Sequence, residues 1–140
     1  VIIVPPFVKY SPIKNILLLS DYRDVYETTP IDLITAVLDT TKATLHVLYV
    51  QQTKKELVGA EVAESITLNT LFQGYDPQYH YTQNDNFIDG VNDFVETNAI
   101  DLLLIIPKHH TIIDKIFHRS KTKMMVFHSY IPVLLVHDKR

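Results

Sequence analysis

The chain has no cysteine and only three glycines. Without cysteine there is no disulfide framework, no thiol nucleophile and no cysteine-bound metal. The glycines, Gly59, Gly74 and Gly90, each fall in or beside a stretch of helical periodicity. A phosphate cradle needs backbone amides that approach closely and take positive φ, which glycine permits cheaply. Neither a Walker loop nor a dinucleotide fingerprint can be drawn. No apolar run approaches the roughly 18–20 residues that span a bilayer. No secretory signal pattern is present either. A cytoplasmic protein with no membrane partner is the expectation.

What is there describes one domain of ordinary size. A chain of 140 residues can bury a real core. An apolar share of 46% with 21% charged residues suits a folded chain rather than a disordered one. The net charge of −3 hides an asymmetry. Residues 1–106 carry six Lys/Arg against fourteen Asp/Glu, a balance of −8; residues 107–140 carry seven against two, a balance of +5. Such a basic segment is either a solvated helix face or a face for an anion or acidic partner.

The opening Val1-Ile-Ile-Val-Pro-Pro-Phe is an apolar run stopped by two prolines. It echoes the closing Pro132-Val-Leu-Leu-Val136. It reads as the last strand of something that precedes, so residues 1–12 are an end strand and linker and residues 13–140 the domain. Lys14–Ser20 is a short continuous apolar run, as parallel strands buried on both faces require. Thr29 is an N-cap for a helix with Pro30 at its first position and Asp32 in its first turn, ending near Lys42. Ile31, Ile34, Val37, Leu38 and Thr41 form its apolar stripe.

Ala43–Val50 is the second strand. Lys54–Gln73 is the second helix, its buried side drawn along Val58, Val62, Ile66, Asn69 and Phe72, widened by Leu68 and Leu71. Gly74 ends it. Gln78–Thr82 is a weaker strand, placed at an edge. Asn84 or Asp85 caps a third helix patterned on Phe87, Ile88, Val91, Phe94 and Val95. Asp101–Ile106 is the fourth strand. Residues 111–117 and 122–129 read as short helices, and Pro132–Val136 is the last strand. The order β-α-β-α-β-α-β-α-β, with crossovers long enough for helices, predicts a doubly wound five-stranded parallel sheet flanked by helices, a Rossmann-like α/β fold.

Few residues carry chemistry. Asp21 follows the first strand and faces the ligand end of such a sheet. It can accept hydrogen bonds from a base or sugar, hold a divalent ion, or cap its own loop. His109, His110 and His118, with His128 further on, lack a carboxylate or thiolate partner at metal-ligand spacing, so no metal site is expected. His46 sits in an apolar strand and reads as a hydrogen-bonded interior histidine. Ser20, Ser120 and Ser129 sit in no nucleophile elbow. No nucleophile, base and orienting acid occur at workable spacings, so no enzyme and no catalytic residue is expected. DNA binding lacks a recognition motif and the chain is acidic overall.

Taken in order, Ile16-Leu-Leu-Leu-Ser-Asp21, Leu45-His-Val-Leu-Tyr-Val50, Asp101-Leu-Leu-Leu-Ile105 and Ile131-Pro-Val-Leu-Leu-Val136 resemble the universal stress protein (UspA-like) family. The ordered set spans the chain from about Lys14 to Val136. The resemblance implies an adenine nucleotide-hydrolase-like fold and, in tandem members, two such domains in one chain. Members that bind ATP carry G-x2-G-x9-G-[ST] after the fourth strand. Those glycine positions fall here on Ile106, His109 and Arg119, and the hydroxyl position on Ser120. The adenine-side positions correspond to Asp21 and to Val50 through its backbone. With all three glycines replaced, ATP is not expected as a cofactor in the family's usual mode. The resemblance implies a regulatory or interaction domain that pairs as a homodimer or tandem pseudo-dimer along Pro132, Val133, Leu134, Leu135 and Val136. The alternative is a nucleotide- or anion-binding domain in which Lys108, His109, His110, Arg119 and Ser120, with Lys121, stand in for the glycine loop.

Overall fold

Runs such as Ile16-Leu-Leu-Leu and Leu102-Leu-Leu-Ile place apolar side chains on both faces of an extended strand, because successive side chains point opposite ways. Each face must then be covered by a helix stripe. The computed structural model describes residues 2–4, 12–51, 59–106 and 131–137, apart from the side chains of Ile3 and Gln51. Its elements are β1 (Ile2–Ile3), β2 (Asn15–Leu19), α1 (Val25–Thr28), α2 (Ile31–Thr41), β3 (Thr44–Gln51), α3 (Gly59–Leu71), β4 (Gln78–Gln83), α4 (Phe87–Thr97), β5 (Leu102–Ile105) and β6 (Val133–Leu135).

The sheet order is β1-β6-β5-β2-β3-β4. The five strands from β6 to β4 are parallel. This is the doubly wound sheet anticipated from the sequence. β1 is added antiparallel on the outer side of β6, with Ile2 opposite Leu134 and Ile3 opposite Val133.

Alternation sorts the core into two layers. Ile16, Leu18, Leu45, Val47, Leu102 and Leu104 face α2 and α3, where Ile34, Leu38, Leu68 and Phe72 meet them. Leu17, Leu19, Leu48, Leu103 and Ile105 face α4, where Val91 and Val95 meet them. At the amino ends of the strands, one Asp101 carboxylate oxygen accepts the N–H groups of Lys14 and Asn15 at 2.8 and 2.9 Å.

Four local readings change. Pro30, not Thr29, is the N-cap of α2, and no side chain caps it. Thr29 instead closes the short helix α1, which the polar stretch after β2 conceals. The cap of α4 is Asn86, whose Oδ1 accepts the Asp89 N–H at 3.2 Å. Asn84 acts two residues earlier, accepting from the Asn86 N–H at 2.9 Å. On α3 the buried side runs through Leu68 and Phe72, while Val62 and Ile66 are 43% and 62% exposed. Residues 52–58, including Val58 and the first expected turn of α3, lie outside the described residues. So do residues 5–11 of the expected linker and residues 107–130, which contain both expected short helices.

Candidate functional site

β2 and β3 are parallel neighbours with Leu19 opposite Leu48. Asp21 and Val50 each lie two residues beyond that pair, Asp21 in the loop after β2 and Val50 still within β3, where it pairs with Thr82. Asp21 Oδ1 accepts the N–H of Arg23 at 3.0 Å, and Ser20 Oγ accepts that of Tyr22 at 3.2 Å. These small side-chain turns close the loop on itself. The loop-capping reading of Asp21 therefore describes at least one of its oxygens. The loop carries Tyr22 at φ 53° and Asp24 at φ 45°, a left-handed conformation that costs a residue with a Cβ about 1–2 kcal/mol.

The Tyr22 ring offsets that cost by burial. It is 5% exposed and stacks on Tyr49 with centroids 5.2 Å apart and planes within 6°. Val50 is buried against α4, where a Cβ added to Gly90 would stand 3.2 Å from Val50 Cγ1. Its side chain is thus a core group, and only its backbone is left for a ligand. Ile106, at the first glycine position of the phosphate motif, is 5% exposed. It belongs to the core layer that includes Leu104, Tyr22 and Val136. Lys108, His109, His110, Arg119, Ser120 and Lys121 lie outside the described residues, as do His118 and His128. Asp21 and Val50 thus lie at corresponding positions toward the carboxyl ends of β2 and β3, and the basic residues of the expected site lie outside the described residues.

Sequence reasoning missed the inward carboxylates of α3. Tyr49 donates its hydroxyl to Glu61 Oε1 at 3.2 Å. Glu64 Oε2 accepts the Val25 N–H at 3.0 Å, satisfying an orphan donor at the start of α1. Burial first, then the charge and hydrogen bond of Glu61, push the Tyr49 hydroxyl up to about 12, with Arg23 opposing. Tyr22 is also pushed up to about 12, chiefly by burial. Both phenols hold their protons at neutral pH. Among the described residues no group of three or more His, Asp or Glu could hold a metal ion.

His46 is an interior, hydrogen-bonded residue, 7% exposed. Its Nε2 lies 3.0 Å from Asn15 Oδ1 and its Nδ1 lies 3.0 Å from His80 Nε2. Asn15 Nδ2 faces the Ala99 carbonyl, which orients its oxygen to accept from His46. Neutral His46 then carries its proton on Nε2 and accepts from His80. Phe94 packs edge-on against both rings. Burial lowers both pKa values, and the neighbouring His80 lowers that of His46 further.

On the last strand, Val133 and Val136 are each 2% exposed, while Pro132, Leu134 and Leu135 are half-buried. The outer edge of this strand is taken by β1 of the same chain.

A solved universal stress protein, described as a complex with cAMP, superposes with a TM-score of 0.62 over 91% of this chain and 98% of that one. The chain has the universal stress protein fold. The identity to that structure is 14%. UspA from Lactobacillus plantarum matches at 13% identity and TM-score 0.53, over 91% of this chain and 99% of that one. A universal stress protein from Archaeoglobus fulgidus DSM 4304 matches at 12% identity and TM-score 0.58, over 94% of this chain but 46% of that one. By sequence, no family model and no curated protein matches the chain. Among the described residues no helix of this universal stress protein fold is long and apolar enough to cross a membrane.

Proposed function

We propose that this chain is a cytoplasmic stress-response domain of the universal stress protein family, a non-catalytic regulatory and interaction module that does not hold ATP in the glycine-loop mode. It joins a neighbouring domain or copy along its last strand. The observation that carries this reading is the antiparallel pairing of β1 with β6. Two last strands related by a two-fold axis run antiparallel, so β1 presents to β6 what the last strand of a second domain would present. The likeness of Val1–Val4 to Pro132–Val136 supports the same reading. So does the match to 46% of a longer universal stress protein chain. The tandem pseudo-dimer is favoured over a homodimer through β6, because a second copy would have to displace β1. Ile106 in the core supports the loss of the phosphate cradle.

The second reading is a nucleotide or anion site that would use Asp21, the Val50 backbone and the basic-segment residues Lys108, His109, His110, Arg119 and Ser120 in place of the glycine loop. The basic balance of residues 107–140 favours it, as does the cAMP complex of a structural neighbour. Calorimetry with ATP, AMP and cAMP separates the two. The first reading predicts no saturable heat at millimolar ligand. Submillimolar binding lost in Lys108→Ala and Arg119→Ala would replace it with the second.

A further inference from the structure

Tyr22, Tyr49 and Tyr81 form a ladder across three adjacent strands or their ends. Tyr49 and Tyr81 are register partners, their rings stacked with centroids 5.8 Å apart and planes within 11°. The ladder begins in the core and ends in water: Tyr22 is 5% exposed and Tyr81 47%. Beside it lies a groove of about 430 Å³ between β4 and α3, within the usual size of a small-molecule site. Tyr22, Tyr49, Tyr79 and Tyr81 line one side, and Ile66 and Asn69 stand on the other. Ile66 is 62% exposed although it is a large apolar residue on a helix. Tyr79 donates its hydroxyl to Asn69 Oδ1 at 3.0 Å, linking the two walls. That bond leaves the Asn69 amide as a donor and the Tyr79 oxygen as an acceptor for a ligand edge.

The electrostatics select the ligand. Among the described lining residues there is no lysine or arginine. Tyrosine ring faces carry negative potential and attract cations. The hydroxyl of Tyr49, one of the lining rings, already lies against the Glu61 carboxylate. An anion finds no full positive charge among the described lining residues, whereas a flat neutral or cationic ring finds stacking faces and hydrogen-bonding edges. We propose that this groove is a binding site for a planar heteroaromatic molecule of neutral or single positive charge. Neither Asp21 nor Val50 is among its described lining residues, and it does not depend on the function proposed above.

The test uses one ring in three charge states: nicotinamide, the 1-methylnicotinamide cation and nicotinate. Binding is followed by NMR of the full chain with labelled tyrosine rings. Saturable shifts of Tyr79 and Tyr81 are expected with the neutral and cationic probes, tightest for the cation. Nicotinate should bind at least about tenfold more weakly. Asn69→Trp, which fills the groove from an exposed helix position, and Tyr81→Leu, which removes the outer ring, should each abolish the shifts. Lys108→Ala with Arg119→Ala should leave them unchanged, which separates this site from the nucleotide reading. Nicotinate binding as tightly as the cation would overturn the proposal. So would shifts that survive Asn69→Trp, or no shift of Tyr79 and Tyr81 with any probe at millimolar concentration.

Discussion

Tyr22 sets two terms against each other that can be measured apart. Its ring is 5% exposed and stacked on Tyr49, so truncation to alanine should cost about 3–5 kcal/mol, the range for large buried aromatics. Its backbone sits at φ 53°, where alanine keeps the left-handed penalty of about 1–2 kcal/mol. Glycine loses the same ring but escapes that penalty. It costs about 0.5–1 kcal/mol more in chain entropy. Tyr22→Gly should therefore be more stable than Tyr22→Ala by up to about 1.5 kcal/mol, the reverse of the order at ordinary positions. Urea unfolding followed by circular dichroism reads both, provided the m-values agree. A glycine variant less stable than the alanine variant by about 1 kcal/mol would refute the backbone term. A loss below about 1 kcal/mol in both would refute the burial term.

Two further outcomes test the packing and the histidine pair. Gly90→Ala should lose the helix-interior gain of about 1 kcal/mol that alanine otherwise brings and melt below Gly59→Ala, because its Cβ would meet Asn84 Cβ at 3.1 Å and Val50 Cγ1 at 3.2 Å. Gly59→Ala, whose Cβ meets none of the described residues within 4 Å, should be neutral or stabilising by up to about 1 kcal/mol; thermal melts of the pair check both. The pKa values of His46 and His80 are lowered in the folded chain, so the unfolded chain takes up protons first as pH falls. Stability is unaffected well above the ordinary histidine value of about 6.5, declines as pH drops below it, and levels off beneath the folded values. The double variant His46→Gln, His80→Gln should flatten that decline in denaturant melts between about pH 7.5 and pH 5. An unchanged slope would mean that the pair is not held neutral.

The strands were legible because β2, β5 and β6 are continuous apolar runs, which few structures other than a doubly covered sheet can use. α4 was legible because Val91 and Val95 fall at helical spacing and are buried. α3 misled because its inward side starts with Glu61 and Glu64, which meet a tyrosine hydroxyl and a helix-end N–H. A polar residue that satisfies a buried donor looks like a solvent residue to a hydropathy pattern. Val62 and Ile66 then seemed to continue the stripe that Leu68 and Phe72 in fact bury. The tyrosine ladder escaped notice for another reason. Tyr22, Tyr49 and Tyr81 are far apart in the chain, and only strand order and register bring them together. His46 was readable from its position in an apolar strand, though its partners Asn15 and His80 were not. Of the expected site, Asp21 was singled out by its position after the first strand and Val50 by the family resemblance alone.

The measurement closest to the central claim is the solution mass, by light scattering, of the chain with and without residues 1–12. An open, apolar β-edge recruits another strand. With β1 in place the edge of β6 is filled, so the full chain should be monomeric. Without it, the exposed edge should pair with a second copy, giving a dimer in which the amides of Val133–Leu135 stay protected from hydrogen exchange. A truncated chain that remains a folded monomer, with those amides exchanging freely, would contradict the assignment of the last strand as the assembly edge.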